Sequence, residues 1–380
     1  MTIKLKPKNL LINLAISLIS IILTLVLIEF AFRKFVFNYY RTPKDNEILL
    51  FYGIKESSIP GVPYEFIPNY GDENSNWHFN SFGFRGKEIK VPKPPNIYRI
   101  VLLGDSQVFG GEDIKGTISA FLEDFLNSDS ELVRDGTRFE VVNGGFFSLN
   151  IKELSIILRY KVKKIEPDLI IYNFFVNDFD ESTYTIVRNR DGLPVLLSYM
   201  SIYGENDLLG GKINILLNRY SLFYRYIGHM IEDMKFKRRT KDWSLMDKYD
   251  KTHLRFPMVV YLDDMIRDSR SIKAGFMTSV LASLQHMSSC RLDDYNADVL
   301  GEYIRYAKSR GVIVISLLDT LCGKPVEELD RGDGAHFKDW AHKVFAQRIY
   351  NELKAYFKNP EGYLLENSQR KIDLTRVEEY

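Results

Sequence analysis

Short apolar runs recurring between amphipathic stretches are the pattern that most narrows the fold of this chain. Ile97–Leu103, Arg138–Val142, Asp168–Phe175 and Val312–Leu318 read as strands. Ile151–Ile165, Tyr295–Ser309 and Lys338–Phe357 read as helices, with a further helix-like run ending near Asn127. Parallel strands need a crossover between them, most often a helix. The alternation therefore predicts an α/β architecture, a parallel sheet covered on both faces. Ligands of such sheets gather at the carboxyl ends of the strands. Ser106, Asn177 and the loop after Leu318 are expected on that edge.

The first apolar run ends in Gly104-Asp105-Ser106, which sets a hydroxyl where a strand stops and a helix starts. The first N–H groups of a helix point at whatever binds there. A serine so placed is a candidate nucleophile when a base and an orienting carboxylate can reach it. Alone, Gly-Asp-Ser reads equally well as an ordinary strand–helix turn. His336 is the candidate base, in the segment Gly332–Trp340 between the last strand and the last helix. Asp333 precedes it by three residues, so one short loop can present carboxylate and imidazole together. Asn177, two residues beyond the third strand, offers an amide N–H to a developing oxyanion. One such donor is typically worth about 3 kcal/mol of transition-state stabilisation. Val141–Asn150 (VVNGGFFSLN) offers backbone N–H groups to the same edge.

Gly104-Asp105-Ser106, Asn143-Gly144-Gly145, Asn177-Asp178 and Asp333-Gly334-Ala335-His336 stand in the order and topology of the SGNH (GDSL) hydrolase family, which the chain resembles over about Tyr98–Thr183 and Gly301–Leu353. Asn80–Gly86 (NSFGFRG) is similar to the segment before the nucleophile in membrane-anchored bacterial members. The resemblance implies a flavodoxin-like three-layer α/β/α fold with a parallel central sheet. It implies Ser106 as nucleophile, His336 as general base and Asp333 as its orienting partner. Oxyanion donors would be the Ser106 N–H, one group from the second block (Gly145 or Ser148) and the Asn177 side chain. Two positions depart from the family pattern. Phe175 stands where the third block carries glycine, and the second-block donor counted from Asn143 falls on Ser148 rather than Gly145.

The amino-terminal segment Leu10–Phe32 holds one ionisable residue, Glu29, and no Pro or Gly. As a helix, its stricter core Leu10–Ile28 would span roughly 28 Å, close to the hydrocarbon thickness of a bilayer. The bulky flank Phe30–Phe35 lacks the small residues of a cleavage site, so the segment reads as an uncleaved transmembrane anchor. Lys4, Lys6 and Lys8 precede it, while Arg33, Lys34, Arg41 and Lys44 follow. A short basic tail is awkward to translocate, which favours tail inside and body outside the cytoplasm. The expected organisation is a tail and anchor over 1–35, an approach segment over 36–96, a catalytic domain over 97–360 and a charged tail over 361–380. Within the domain, an insertion over 180–294 would supply the lid of the substrate pocket.

A formal net charge of +1 argues against a nucleic-acid partner. The basic cluster Lys235–Lys241 reads as a solvated helix face, or secondarily as a contact for anionic headgroups. Two cysteines, Cys290 and Cys322, are too few for a zinc site and could pair only in an oxidising compartment. His78, His229, His253, His286 and His342 lie in no metal-ligand spacing, so neither metal nor cofactor is expected. Arg85 is a candidate for binding a carboxylate or sugar hydroxyls, a structural ion pair being its plainer role. The substrate would be an ester-bearing small molecule, lipid or glycan. Three functions compete: an esterase, an O-acyltransferase on envelope polysaccharide using the same residues, and a non-catalytic domain that binds a glycan or partner.

Overall fold

The structure, a computed structural model, describes residues 7–32, 34, 53–72, 77–111, 113–147, 149–179, 184–188, 194–198, 213, 217, 221, 223, 224, 227, 231, 252–292 and 294–369. The chain divides into two compact units, Met1–Leu49 with Thr185–Asp250, and Leu50–Tyr184 with Lys251–Tyr380.

In the first unit, helix α1 (Pro7–Ala31) carries exposed apolar side chains, among them Ile16, Leu23, Leu27 and Phe30. Its carboxylate, Glu29, accepts hydrogen bonds from Ser221 Oγ at 2.7 Å and the Phe223 N–H at 3.1 Å. Among the described residues no helix is long and apolar enough to cross a membrane. Several α1 side chains lie outside that description. The transmembrane anchor expected over Leu10–Phe32 therefore finds no support among the described residues and rests on the sequence alone.

The second unit holds the sheet. Its strands are β3 (Ile97–Gly104), β4 (Arg138–Gly145), β5 (Leu169–Phe175), β8 (Gly275–Leu281) and β9 (Ile313–Ser316), all parallel, in the order β4-β3-β5-β8-β9. This is the flavodoxin-like order, and the direction of winding reverses between β3 and β5, where doubly wound sheets open a crevice. Ile100–Leu103 of β3 are fully buried, with Val101 in register between Val142 and Ile170. A central strand covered on both faces needs such a continuous apolar run. Helices α3 (Ile118–Ser128) and α9 (Asp339–Lys358) pack together, as do α4 (Ile151–Tyr160) and α5 (Thr252–Ser271). Further helices are α6 (Leu284–Ser289), α7 (Asp294–Ser309), α8 (Val326–Leu329) and α10 (Pro360–Gln369).

The expected insertion over 180–294 is narrower than the sequence pattern implied. α5 and β8 belong to the sheet unit, and β8 is a full strand between β5 and β9. Two buried polar residues disguise it. Thr278 Oγ1 donates to the Tyr172 carbonyl at 2.8 Å and meets Tyr303 Oη at 2.6 Å, while Ser279 Oγ accepts from Asn173 Nδ2 at 2.8 Å. Polar side chains satisfied inside a core break the apolar run without breaking the strand. Strands β6 (Tyr184–Arg188) and β7 (Pro194–Ser198) pair with each other. Most of 199–250, within the 180–294 segment expected to supply the lid, lies outside the described residues.

The approach segment is likewise part of the sheet unit from Leu50 onward. Strands β1 (Ile54–Glu56) and β2 (Tyr64–Phe66) pair antiparallel and bury Tyr64 and Phe66 completely. Phe66 stacks on Phe79 at 4.2 Å and on Phe146 at 5.2 Å, and reaches Phe109 at 5.5 Å. Burying rings of this size contributes on the order of 2 kcal/mol each. The segment thus supplies one wall behind the turn that follows β3.

Cys290 and Cys322 form a disulfide, Cα–Cα 5.2 Å, that links the connection after β8 to the connection after β9. Closing a loop of 32 residues removes roughly 3–4 kcal/mol of denatured-state entropy. Reduction is therefore expected to lower the thermal midpoint by several degrees. An unchanged midpoint in protein whose two thiols titrate as free would contradict that role.

Candidate active site

β3 stops at Gly104, and the chain enters the one-turn helix α2 (Ser106–Phe109). Asp105 caps that turn, its carboxylate accepting the Gln107 N–H at 2.9 Å. Gly110 closes it in the left-handed region at φ 84°, donating its N–H to the Ser106 carbonyl at 3.0 Å. Ser106 thereby stands at the first helical position, where a backbone N–H has no partner within the helix. The end of β4 braces the turn. Asn143 Nδ2 donates to the carbonyls of Val108 and Phe109, at 3.1 and 3.2 Å. Gly145 is required by close approach, since a Cβ there would fall against the backbone nitrogen and Cα of Phe109.

His336 comes to the same place from the loop before α9. Its Nε2 lies 2.8 Å from Ser106 Oγ, and its Nδ1 lies 2.9 Å from Asp333 Oδ2. Asp333 Oδ1 accepts the N–H groups of Ala335 and His336, at 3.1 and 2.9 Å. Burial opposes ionisation of Asp333, but the Arg331 hydrogen bonds and these two N–H groups hold its carboxyl well below the usual range. Burial lowers the His336 imidazole from its ordinary 6.5, and Arg331 adds to that, against the opposing pull of Asp333. The imidazole is therefore neutral at pH 7 and, as the Nδ1–H tautomer, presents a bare Nε2 to the serine hydroxyl. The arrangement can draw a proton from Ser106 while holding the charge that results.

Asn177 is exposed on the 3-10 turn Val176–Phe179, directly after β5 on the same edge as Ser106. Its neighbour Asp178 builds that turn, with Oδ2 accepting the Phe175 N–H at 3.0 Å and the Tyr172 hydroxyl at 2.6 Å. Phe175 is buried at the strand end.

The N–H of Gly145, one of the two second-block candidates, faces Asn143 Oδ1 3.0 Å away. The glycine serves the turn by its lack of a side chain. Ser148, the other second-block candidate, lies outside the described residues. Arg85 is buried: its Nη1 donates to the Phe109 carbonyl at 2.7 Å, and the guanidinium lies 4.3 Å over the Phe109 ring. It supports the turn from behind.

Three of the other histidines have backbone or side-chain partners. His78 Nδ1 faces the Gly71 carbonyl at 3.3 Å and His286 Nδ1 faces Ser283 Oγ at 2.8 Å. Buried His342, Nδ1 at 2.9 Å from the Gly116 carbonyl, is pushed down to about 4 by burial. His229 and the side chain of His253 lie outside the described residues, among which no cluster of potential metal ligands occurs. Sequence reasoning missed Gln107 and Arg331. Gln107 Nε2 donates to the Ala335 carbonyl at 2.9 Å, and Arg331 grips Asp333 through Nη2 at 2.6 Å and Nε at 3.1 Å. Their only signal was adjacency to Ser106 and Asp333.

No family model matches this chain, and no curated protein matches it. Several solved structures are similar to it. A lipolytic protein of the G-D-S-L family from Desulfitobacterium hafniense is 12% identical, with a TM-score of 0.38, over 67% of this chain and 98% of that one. A lipase/acylhydrolase from Enterococcus faecalis is 15% identical, TM-score 0.38, over 68% and 95%. A psychrotrophic esterase from Pseudoalteromonas sp. is 12% identical, TM-score 0.39, over 69% and 100%.

Asp105 gives a prediction for stability. Burial pushes its carboxyl up to about 7 from an ordinary 3.8, although the Gln107 N–H and its own backbone N–H favour the charged form. The folded protein thus holds this proton more tightly than the unfolded chain. The group costs nothing below its ordinary pKa, destabilises increasingly as pH rises, and reaches its full penalty above about 7. Asp105→Asn keeps an acceptor oxygen and removes the titration. Its thermal midpoint is expected to fall less between pH 5 and pH 8 than that of the parent chain; identical pH dependence in the two proteins would refute the assignment.

Proposed function

We propose that this chain is a serine ester hydrolase of the SGNH type. The observation that carries this reading is the unbroken hydrogen-bonded relay from Ser106 Oγ through His336 to Asp333, at 2.8 and 2.9 Å. Ser106 Oγ attacks the ester carbonyl carbon while His336 Nε2 takes its proton. The carbonyl oxygen becomes an oxyanion facing the Ser106 N–H and the Asn177 amide. Collapse of the tetrahedral species breaks the C–O bond, and the imidazolium returns the proton to the departing alkoxide. Water then attacks acyl-Ser106 with His336 again acting as base, which releases the acid. Asp333 stays ionised throughout, holds the tautomer and stabilises the imidazolium.

The same chain is read as anchored through Leu10–Phe32, with its sheet unit outside the cytoplasm. The Cys290–Cys322 disulfide supports that side of the membrane, because structural disulfides persist in oxidising compartments.

Full-length protein in detergent is expected to hydrolyse a short-chain aryl ester. Ser106→Ala and His336→Gln should each lower turnover by about 10⁴-fold or more, and Asp333→Asn by a similar order. Activity should fall with acid along a limb whose midpoint lies below 6.5, where His336 protonates. Turnover that survives Ser106→Ala would sink the reading. Capture of the acyl group by an added oligosaccharide, in place of release into water, would move it from hydrolase to transferase.

A further inference from the structure

Asp333 does not serve His336 alone. Its Oδ2 accepts Nη2 and Nε of Arg331, at 2.6 and 3.1 Å, on the same oxygen that faces His336 Nδ1. The other edge of the guanidinium crosses to the serine side, with Nη1 donating to the Gly110 carbonyl at 3.3 Å. Gly110 is the residue that closes the turn begun by Ser106. A second strap runs the opposite way, from Gln107 Nε2 to the Ala335 carbonyl. Asp330 shapes the loop between them by accepting the N–H groups of Gly332 and Gly334, at 2.8 and 3.0 Å. Two segments more than 220 residues apart, by the 221 and 228 that separate these pairs, are thus tied by one charged and one neutral bridge.

We propose that Arg331 is a positioning residue, which fastens the Asp333–His336 loop to the Ser106 turn and shares the Asp333 carboxylate with the imidazole. The proposal rests on the serine-hydrolase reading of the same site. Its geometry has two consequences. A planar guanidinium can reach along two edges at once, which the point charge of lysine cannot. Its positive charge also competes with the imidazolium for Asp333. The charged and titratable groups that act on His336 are Asp333, Asp330 and Arg331 from its own loop, with His342 from α9 within electrostatic reach. Asp333 and Asp330 favour the imidazolium, whereas Arg331 opposes it. Arg331 therefore exchanges basicity at His336 for fixed geometry.

Full-length protein in detergent tests this through Arg331→Gln, Arg331→Lys and Gln107→Met, each first checked for folding by circular dichroism. Arg331→Gln is expected to lower kcat by about 10- to 100-fold, the range a slight misplacement of reacting groups costs. KM should change little, and the acid limb of the rate profile should move to higher pH. Arg331→Lys should return the limb towards its original position while recovering kcat only in part. Gln107→Met should lower kcat and leave the limb in place. The proposal is overturned if Arg331→Gln keeps the parent kcat and limb, or if Gln107→Met moves the limb as far. NMR titration of the His336 ring, read without any substrate, should show the same upward shift in Arg331→Gln. That arm separates the two readings: failure of esterase activity would strike the enzymatic one, and an unmoved His336 titration would strike this one.

Discussion

The contact between Ser106 Oγ and His336 Nε2 joins residues 230 positions apart, and it exists only because β3 and the segment after β9 end on the same edge of one sheet. A parallel sheet delivers every strand's carboxyl end to that edge, so loops distant in sequence become neighbours without any long-range design of their own. The reversal of winding between β3 and β5 opens the crevice there. The serine leaves one side of it and the Asn177 turn leaves the other.

A hydrogen bond of this kind tolerates little slack, and the surroundings are built accordingly. Asp105 caps the serine turn from within, Asn143 holds its carbonyls from β4, and Arg85 supports Phe109 from the approach segment. Asp178 does the same for the Asn177 turn, and Arg331 with Gln107 ties the histidine loop to the serine turn. Most of these supports are buried polar groups. Each is costly if left unpaired, so each also specifies one arrangement of the loops. At Asp105 burial pushes the carboxyl up to about 7 even though the Gln107 N–H favours its charged form.

How much of this could be read beforehand depended on the range of the interaction involved. Ser106 stood out as a polar residue at the end of an apolar run, and Asp333 and His336 through their three-residue spacing in one short loop. Four of the five sheet strands were legible as apolar runs. β8 was not, because Thr278 and Ser279 find partners only after Tyr172, Asn173 and Tyr303 have been brought beside them. Gly145 carries a requirement that local pattern does not display: a Cβ there would fall against the backbone of Phe109. Gln107 and Arg331 were invisible because their roles are contacts across more than 220 residues, as the separations of 228 and 221 show. Local pattern reaches caps, strands and turns; it does not reach the bridges between loops.

That Ser106 is a nucleophile made reactive by His336 can be read out by covalent trapping. Full-length protein treated with a fluorophosphonate, digested and analysed by mass spectrometry should carry the adduct on the peptide containing Ser106. The rate of adduct formation should collapse in His336→Gln. An adduct on another residue, or labelling of Ser106 at an undiminished rate in His336→Gln, would contradict the proposed relay.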